Sequence, residues 1–384
     1  MEVIDMDNLN RMKYDHRTKL LSVEAGARWK EIISYLSTFE RTPAVMQSYY
    51  NFSVGGSISV NCHGRDTRYG TISHTVMSLK ILLSDGKIVE CDRETRQDLF
   101  NAVIGGYGLI GIILSAKLKT CKNYVMRCNV TKTPQIQIQT NTKTKTQTQN
   151  GHIFYNGNIH PTNPSVVYNY SWNRISRSHG NGLPLIRQSY PYIKSIQEMI
   201  LRWFAPARHY REQMEPSNNN STIQWRSYEI GHNYDEHAVL VKYPTTTVLQ
   251  EYFIPIRNAE KFRRLLLESP NQPTLLNISI RYVKRDKNCL LSYAPVDSYA
   301  FVLYFPIMNT THGLNKLTVW TNYMLDQAYA LDGSYYLPYL RSYDWNKIKR
   351  MYQMDKFYQV KQKYDPLAIL QSQWMRKTYL HAVT

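Results

Sequence analysis

The chain has 384 residues, 43% of them hydrophobic and 20% charged, which is the composition of a folded protein with room for two or three domains. Its formal net charge of +18 indicates either an anionic ligand or simply a basic surface, and no nucleic-acid-reading motif accompanies that charge. Five cysteines without a CxxC pair argue against a disulfide framework and against a zinc site, and they indicate a reducing compartment.

The first third of the chain alternates short apolar, strand-forming runs with amphipathic stretches, and this pattern predicts an α+β domain over residues 1–120. The triplet SDG at residues 84–86 is typical of a hairpin turn, and the glycine pair at 105–106 is typical of a helix end. The predicted strands are residues 3–6, 20–24, 76–83, 87–90 and 111–118, and the predicted helices are residues 29–36 and 98–104.

The middle of the chain contains a low-complexity stretch, QIQIQTNTKTKTQTQN at residues 135–150, and we assign residues 121–150 to a disordered insertion. Aromatic and β-branched runs beyond it predict a second α+β domain, residues 151–332, with a mainly antiparallel sheet. Its predicted strands are residues 152–155, 166–172, 246–255, 275–283 and 300–306, and its predicted helices are residues 193–204, 259–268 and 315–329. A final, mostly helical segment, residues 333–384, contains a proline at position 366 that begins or bends its last part.

Two glycine-rich stretches are the strongest functional signal: SVGGSISVNCHGRDTRYG at residues 53–70 and GGYGLIG at residues 105–111. Glycines let backbone amides approach a ligand closely, so two such stretches in one domain indicate an extended, phosphate-bearing cofactor such as a flavin. Residues 106–111 also spell GxGxxG. A nicotinamide-dinucleotide site needs a strand before this motif and a helix after it, and here the predicted order is reversed, which excludes that site.

The glycine-rich stretches, with SLKILLSDGKIVECDR and DLFNAVIGGYGLIGIILSAKLK around the second, resemble the second half of the FAD-binding domain of the vanillyl-alcohol oxidase / p-cresol methylhydroxylase (PCMH-type) superfamily. The branch that they resemble contains decaprenylphosphoryl-ribose oxidase, alditol oxidase and sugar-lactone oxidases. The resemblance continues through VLQEYFIPI, LNISIRY, YAFVLYFP, GSYYLPY and KYDPLAIL. It implies a PCMH-type FAD-binding domain, a substrate (cap) domain, and a C-terminal segment, residues 333–384, that returns to the flavin site.

The resemblance also implies which residues bind FAD, and it implies that FAD is held without a covalent bond. The alternatives from the residues themselves are tight turns between packed strands for the glycines, and an ordinary hydrogen-bonded loop histidine for His63. The cofactor-binding residues implied are Ser53, Val54, Gly55, Gly56, Asn61, His63, Gly64, Arg65, Asp66, Gly70, Gly106, Gly108, Ile112 and Tyr336.

This sequence departs from the superfamily pattern at two places. Superfamily members carry a segment of the type RGxxxSYGD whose amides surround the FAD pyrophosphate, and this sequence begins after it. We therefore expect an N-terminally truncated FAD domain, with two alternatives: the start of the sequence is misassigned, or the segment has been lost and FAD is bound weakly. On the substrate side, Ser279 stands where alditol oxidases have Glu, Val302 where they have His, and Tyr339 where they have Lys. The candidate catalytic residues are therefore Arg281, Tyr339 and Gln250.

The function implied by the resemblance is oxidation of a C–OH group in a sugar, polyol, lactone or lipid-linked sugar, by hydride transfer to flavin N5. A non-catalytic relative that acts as a binding or structural protein is the alternative, and the electron acceptor is left open. The N-terminal residues look like neither a signal nor a transit peptide, and no apolar run approaches ~18 residues. We therefore expect an intracellular, soluble protein with a small-molecule substrate, no metal and no nucleic-acid partner. The basic stretch at residues 172–211 favours either peripheral contact with an anionic membrane or a solvated face.

Overall fold

A computed structural model describes residues 4–136, 153–186, 200, 206, 222–231, 245–339 and 345–372. In this part of the chain, two antiparallel sheets form the centres of two α+β units. The elements of the first unit are β1 (Met12–Asp15), β2 (Leu20–Glu24), α1 (Trp29–Ser37), β3 (Arg41–Pro43), α2 (Val54–Ser59), β4 (Val76–Leu82), β5 (Ile88–Asp92), α3 (Gln97–Val103) and β6 (Ile112–Lys122).

The first sheet has the strand order β1-β2-β6-β4-β5, with β3 also paired to β6. Strand β6 is central because it pairs with β2 and β4 along its length, and its alternate residues Ala116, Leu118 and Thr120 are buried. Helix α1 packs its apolar face onto this core through Trp29, whose indole donates to Ser57 Oγ at 2.8 Å. The first domain is thus α+β, as the sequence predicts.

The second sheet has eight strands in the order β10-β7-β9-β8-β12-β13-β11-β14. Its strands are β7 (Val125–Thr133), β8 (Phe154–Ile159), β9 (Val167–Arg174), β10 (Ile223–Trp225), β11 (Thr245–Pro255), β12 (Asn277–Val283), β13 (Ser298–Met308) and β14 (Ser334–Tyr335). All neighbouring pairs are antiparallel. The accompanying helices are α4 (Arg226–Glu229), α5 (Ala259–Leu267), α6 (Thr311–Ala330), α7 (Trp345–Met351) and α8 (Met354–Tyr364).

Helices α5 and α6 cover one face of the second sheet. The ring of Phe262 on α5 packs edge-on against Phe301 of β13, and the indole of Trp320 on α6 packs against Phe305. All four side chains are buried. Because alternate strand residues point to opposite faces, the other face of this sheet is turned toward the first domain.

The predicted elements are confirmed in type at most described positions, and three corrections are needed. Residues 4–6 are not a strand, because Asp5 and Asp7 take part in local hydrogen bonds that turn the chain, and the first strand is Met12–Asp15 instead. Residues 121–136 are not a disordered insertion: they complete β6 and form β7 of the second sheet, whose inward residues Cys128 and Val130 are buried.

The third correction concerns the first glycine-rich stretch, which we expected to be a loop beside strands. Residues Val54–Ser59 form the short helix α2, because the hydroxyl of Ser53 accepts a hydrogen bond from the Gly56 amide and so caps its N-terminus. Residues 137–150 and most of the predicted helix at 193–204 lie outside the described residues, as does residue 373 onward in the tail.

Replacing Gly106 with alanine should destabilise the protein by about 3 kcal/mol, since its β-carbon would lie 2.1 Å from the backbone oxygen of Ala102. Gly86→Ala is the matched control. Gly86 has a φ of +83° and nothing within 4 Å of an added β-carbon, so its replacement adds backbone strain of about 1 kcal/mol without a collision. Denaturant unfolding of both variants measures the difference, and equal losses would show that the collision at Gly106 is relieved cheaply.

Candidate functional site

The two glycine-rich stretches meet at the C-terminal end of α2. The amide of Gly105 donates to Ile58 O and the amide of Tyr107 donates to Ser59 O, each at 2.9 Å. Helix α3 precedes the second stretch and strand β6 follows it, which confirms the order that excludes a nicotinamide-dinucleotide motif. The structure therefore brings Ser53–Gly56, Asn61, Gly106 and Gly108 into one region, and Ile112 begins the adjoining strand β6.

Some of the expected cofactor-binding amides already have partners inside the domain. The amides of Val54 and Gly55 donate to Ala27 O and Ala25 O at 2.9 and 2.8 Å. A β-carbon at Gly55 would lie 2.8 Å from the Ala25 side chain, so this glycine permits close packing of α2 on the first sheet. Gly108 differs, because its φ is +74° and an added β-carbon would meet nothing within 4 Å. Of these glycines, Gly108 leaves the open approach that a ligand needs.

The loop that follows α2, residues 61–71, forms the contact between the two domains. Asp286 of the second domain accepts hydrogen bonds from Asn61 Nδ2 at 2.8 Å and from Thr71 Oγ1 at 2.7 Å, and the phenol of Tyr293 donates to Asn61 O at 2.5 Å. All four residues are buried. Gly70 is required here because a β-carbon would lie 2.4 Å from Lys284 O. This part of the predicted cofactor loop thus also fixes how the domains dock.

Arg65 and Asp66 use their side chains in two buried interdomain ion pairs. Arg65 donates to Glu229 Oε1 at 2.7 Å, and Asp66 accepts from Arg226 at 3.0 Å. Asp66 also accepts from the partly exposed Arg68 of the same loop at 2.6 Å. The preceding Gly64 approaches Met46 O so closely that a β-carbon would lie 2.7 Å away. Because both side chains are already paired with charged residues, they do not fit a role in binding the cofactor. Any contact that residues 65 and 66 make with the cofactor must come from their backbone.

His63 is held against the second sheet by an acidic residue that the sequence analysis missed. Its Nε2 lies 2.7 Å from Glu251 Oε1, both side chains are 4% exposed, and its Nδ1 lies 3.2 Å from Gly64 O. The rings of Phe253 and Tyr336 surround it. The available signal was an acidic residue inside an otherwise apolar strand, since a buried carboxylate requires a partner.

Tyr336 connects the C-terminal segment to the first domain, and its contact with the flavin stays a prediction of the resemblance. Its phenol donates to Val60 O at 3.0 Å, immediately after α2, and its amide donates to Glu251 O at 2.9 Å. Burial raises the pKa of Tyr336 well above its ordinary value of 10, so the phenol stays protonated and acts as a donor. Tyr339 lies beside it, with ring centroids 5.2 Å apart.

The face of the second sheet that is turned toward His63 carries a group of polar residues, which we call the polar face: Asn156, Asn158, Glu251, Ser279 and Arg281. Cross-strand register places Asn158, Ser279, Val302 and Glu251 in one row, and Arg281 in the next row opposite Ala300. Ser279 Oγ donates to Asn156 Oδ1 at 2.9 Å, and Asn156 Nδ2 donates to Asn158 Oδ1 at 2.8 Å.

The polar face is less buried than the helix-covered face. Ser279 and Arg281 are half-buried, whereas Ile278 and Ile280, which alternate with them, are 0% exposed. The same alternation occurs in β13, where Val302 is half-buried. The polar face, including Arg281, is therefore partly accessible to solvent.

Gln250 is not part of this site, so its assignment as a catalytic residue is wrong. It is one residue away from Glu251 and therefore points to the opposite, helix-covered face. There its Nε2 donates to Thr321 Oγ1 at 2.6 Å, and its Oε1 accepts from the Tyr252 phenol at 2.7 Å. Gln250 is 2% exposed and serves the packing of α6 on the sheet.

Residues 2–92 match the family model of the FAD binding domain. The first domain is an FAD-binding domain of the PCMH-type superfamily. FAD is the cofactor of this domain, as the resemblance implied.

Three curated relatives illustrate the similarity. An uncharacterized oxidoreductase of Rhodococcoides fascians is 31% identical over 118 residues, which are 30% of this chain and 27% of the relative. A D-arabinono-1,4-lactone oxidase of Candida albicans is 34% identical over 107 residues, 28% of this chain and 19% of the relative. Cytokinin dehydrogenase 2 of Oryza sativa is 31% identical over 125 residues, 30% of this chain and 22% of the relative. The matches thus span about a quarter or less of each relative's length.

The residues around the FAD-binding domain fit FAD. Gly108 offers an open backbone approach, and the two glycine-rich stretches, Tyr336 and the polar face converge on one region. Within the described ranges, no cluster of His, Cys, Asp and Glu side chains could hold a metal ion. No described helix is both long and apolar enough to cross a membrane. Arg177, from the basic stretch, pairs with Glu40 on the surface, and most of that stretch lies outside the described residues.

Proposed function

We propose that the protein is an FAD-dependent oxidoreductase that oxidises a C–OH group of a sugar-type small molecule. One observation carries the proposal: His63, from the loop of the FAD-binding domain, is bonded at 2.7 Å to Glu251, which lies on the same sheet face as Arg281. The cofactor domain and a polar, solvent-accessible sheet face thus form one site. Two of the relatives are an oxidase and a dehydrogenase by name, which supports oxidation–reduction as the class of reaction.

Bound FAD would supply the hydride acceptor, at its N5 atom, for a carbinol C–H. Arg281 is placed to bind and orient an oxygen of the substrate, and Asn158 and Ser279 can exchange hydrogen bonds with its hydroxyl groups. The buried rings of Phe253 and Tyr336 exclude water beside His63. The hydroxyl proton of the substrate would pass to water, and Tyr339 could accept it only in its phenolate form.

Non-covalent attachment of FAD is part of the proposal. Both ring nitrogens of His63 are engaged, one by Glu251 and the other by Gly64 O. Burial raises the pKa of the Cys62 thiol to about 12, so the thiol beside this loop is protonated and unreactive. Neither side chain is therefore available to form a bond to the flavin.

The proposal predicts that the purified full-length chain takes up added FAD and becomes yellow. Anaerobic addition of a sugar-type substrate from a panel of alditols, aldonolactones and sugar acids should then bleach the flavin band. Acid precipitation should release all of the FAD into the supernatant, because no covalent bond holds it. An absorption spectrum at each step makes the measurement.

Two results would count against the proposed function. A protein that stays colourless with added FAD would overturn both the cofactor assignment and the activity, and would favour a non-catalytic relative. FAD that remains in the acid precipitate would contradict non-covalent binding alone. A Gln250→Ala variant serves as the control for site specificity, since Gln250 faces away from the polar face and its loss should leave bleaching intact.

A further inference from the structure

We propose that the site takes a substrate that carries a carboxylate, such as a sugar acid or another hydroxy acid, and that Arg281 binds this carboxylate. The proposal rests on the proposed function. Arg281 Nε is buried and has no hydrogen-bond partner in the described part of the chain, and the same is true of the Nε atoms of Arg65, Arg127 and Arg226. Arg65 and Arg226 satisfy other guanidinium nitrogens with carboxylates, whereas no described carboxylate does so for Arg281, and a group from outside the chain can supply that partner.

Two of the buried arginines that the structure describes, Arg65 and Arg226, are paired with carboxylates. Arg65 bonds to Glu229 at 2.7 Å and Arg226 bonds to Asp66 at 3.0 Å, with side-chain exposures of 8% and 0%. Arg281 is half-buried, yet it forms no ion pair with any of the residues that the structure describes. Since desolvating a guanidinium requires compensation, the contrast points to an anion that arrives with the substrate.

The surroundings of Arg281 on the polar face are neutral. Its cross-strand neighbour is Ala300, and the adjoining row contains Asn158, Ser279 and Val302. Glu251 is the carboxylate at the end of that row, and it is already bonded to His63. The positive charge of Arg281 is therefore not compensated within the site, and partial burial strengthens its attraction for an anion.

A carboxylate fits this arrangement better than a phosphate. The planar guanidinium offers two parallel N–H donors that match the two oxygens of one carboxylate. A phosphate monoester carries nearly two charges and needs a second cation nearby. On this face Lys132 lies in the row of Ser279, three strands away, and its ammonium lies 5.1 Å from the ring centroid of Tyr168. The amide and hydroxyl side chains between them suit neutral hydroxyl groups.

The test compares gluconate with glucitol, two six-carbon polyhydroxy compounds of which only gluconate has a carboxylate. Calorimetric titration of the full chain, with and without added FAD, measures binding without requiring turnover. We expect gluconate to bind at least about tenfold more tightly than glucitol, which corresponds to one charge-assisted hydrogen-bonded pair. Equal affinities, or no binding of gluconate, would overturn the proposal.

Variants of Arg281 test whether this residue produces the preference for gluconate. Arg281→Gln should reduce the preference for gluconate to within about twofold, and Arg281→Lys should retain part of it, since lysine keeps the charge but not the paired donors. Arg257→Gln is the matched control because it removes the same charge from an exposed ion pair with Asp332, and it should leave the preference unchanged. A preference that survives in Arg281→Gln would overturn the proposal. Should that variant fail to fold, the Arg281→Lys titration decides in its place.

The outcomes separate this inference from the proposed function. Flavin bleaching by glucitol with no preference for gluconate would overturn the carboxylate assignment and leave the oxidoreductase standing. Preferential gluconate binding by a protein that takes up no FAD would overturn the oxidoreductase and leave the anion site standing.

Discussion

Replacing Glu251 with alanine is expected to lower the free energy of unfolding by about 3–5 kcal/mol, because it removes one partner of a buried pair and leaves the other without compensation. The pair joins His63 Nε2 to Glu251 Oε1 at 2.7 Å, and it connects the FAD-binding domain to strand β11 of the second sheet. The vacated space on β11 adds the cost of a cavity. Denaturant unfolding of the full chain, followed by tryptophan fluorescence, measures the loss.

Gln250→Ala is the matched control for Glu251→Ala. Gln250 is the preceding residue, is equally buried, and makes two hydrogen bonds, but it is neutral and lies on the helix-covered face. We expect its removal to cost about 1–3 kcal/mol, less than the loss of Glu251. The double variant His63→Ala/Glu251→Ala should be less destabilised than the sum of the single variants, since it leaves no buried unpaired group. Strict additivity would show that the two residues do not act as a pair.

Replacing Lys361 with methionine is expected to cost about 3 kcal/mol and to weaken FAD binding as well. Lys361, on helix α8, is buried, and its ammonium donates to the carboxylate of Asp365 and to Leu109 O and Leu370 O, the last two at 2.7 Å. Burial lowers the pKa of Lys361 from the ordinary 10.5, because removal from water disfavours the charged ammonium. Methionine would release Leu109, in the second glycine-rich stretch, and leave Asp365 without its cation.

Lys363→Met on the same helix provides the comparison. Lys363 forms an ion pair with Asp98 at 2.6 Å, but its side chain is 61% exposed, so the pair contributes little. We expect a loss below about 1 kcal/mol and an unchanged FAD dissociation constant, measured by the quenching of flavin fluorescence. If both variants bind FAD as the unaltered protein does, Lys361 is a structural residue of α8 alone.

Much of the fold could be predicted because most of the longer strands contain runs of aliphatic, β-branched and aromatic residues. Strands β4, β6, β11 and β13 each contain several aliphatic or aromatic residues that are buried in the core. These residues were sufficient to predict the four strands from the sequence. Strand β1 reads Met-Lys-Tyr-Asp and is half-buried at most, so its pairing with β2 decides its structure. Local sequence could not reveal that pairing.

The site could be predicted only in part, because its critical contacts join residues far apart in sequence. Strand alternation shows that Gln250 and Glu251 point to opposite faces. It does not show which face the helices cover, because α5 and α6 lie later in the chain and their packing sets this. The contact between His63 and Glu251 spans 188 positions, and it follows from how the domains dock. The assignment of Arg281 and Tyr339 to the site stays a prediction of the resemblance, with Arg281 on the expected face.

The FAD-binding domain makes buried contacts with residues that come later in the chain, and this order has a consequence for biosynthesis. The FAD-binding domain leaves the ribosome before the second domain. Its loop at residues 61–71 is hydrogen-bonded to Asp286 and Glu251, and its second glycine-rich stretch is hydrogen-bonded to Lys361. A nascent chain that ends before these residues has no partner for either stretch. Stable retention of FAD should therefore begin only after Lys361 has left the ribosome, well after the FAD-binding domain itself has been synthesised.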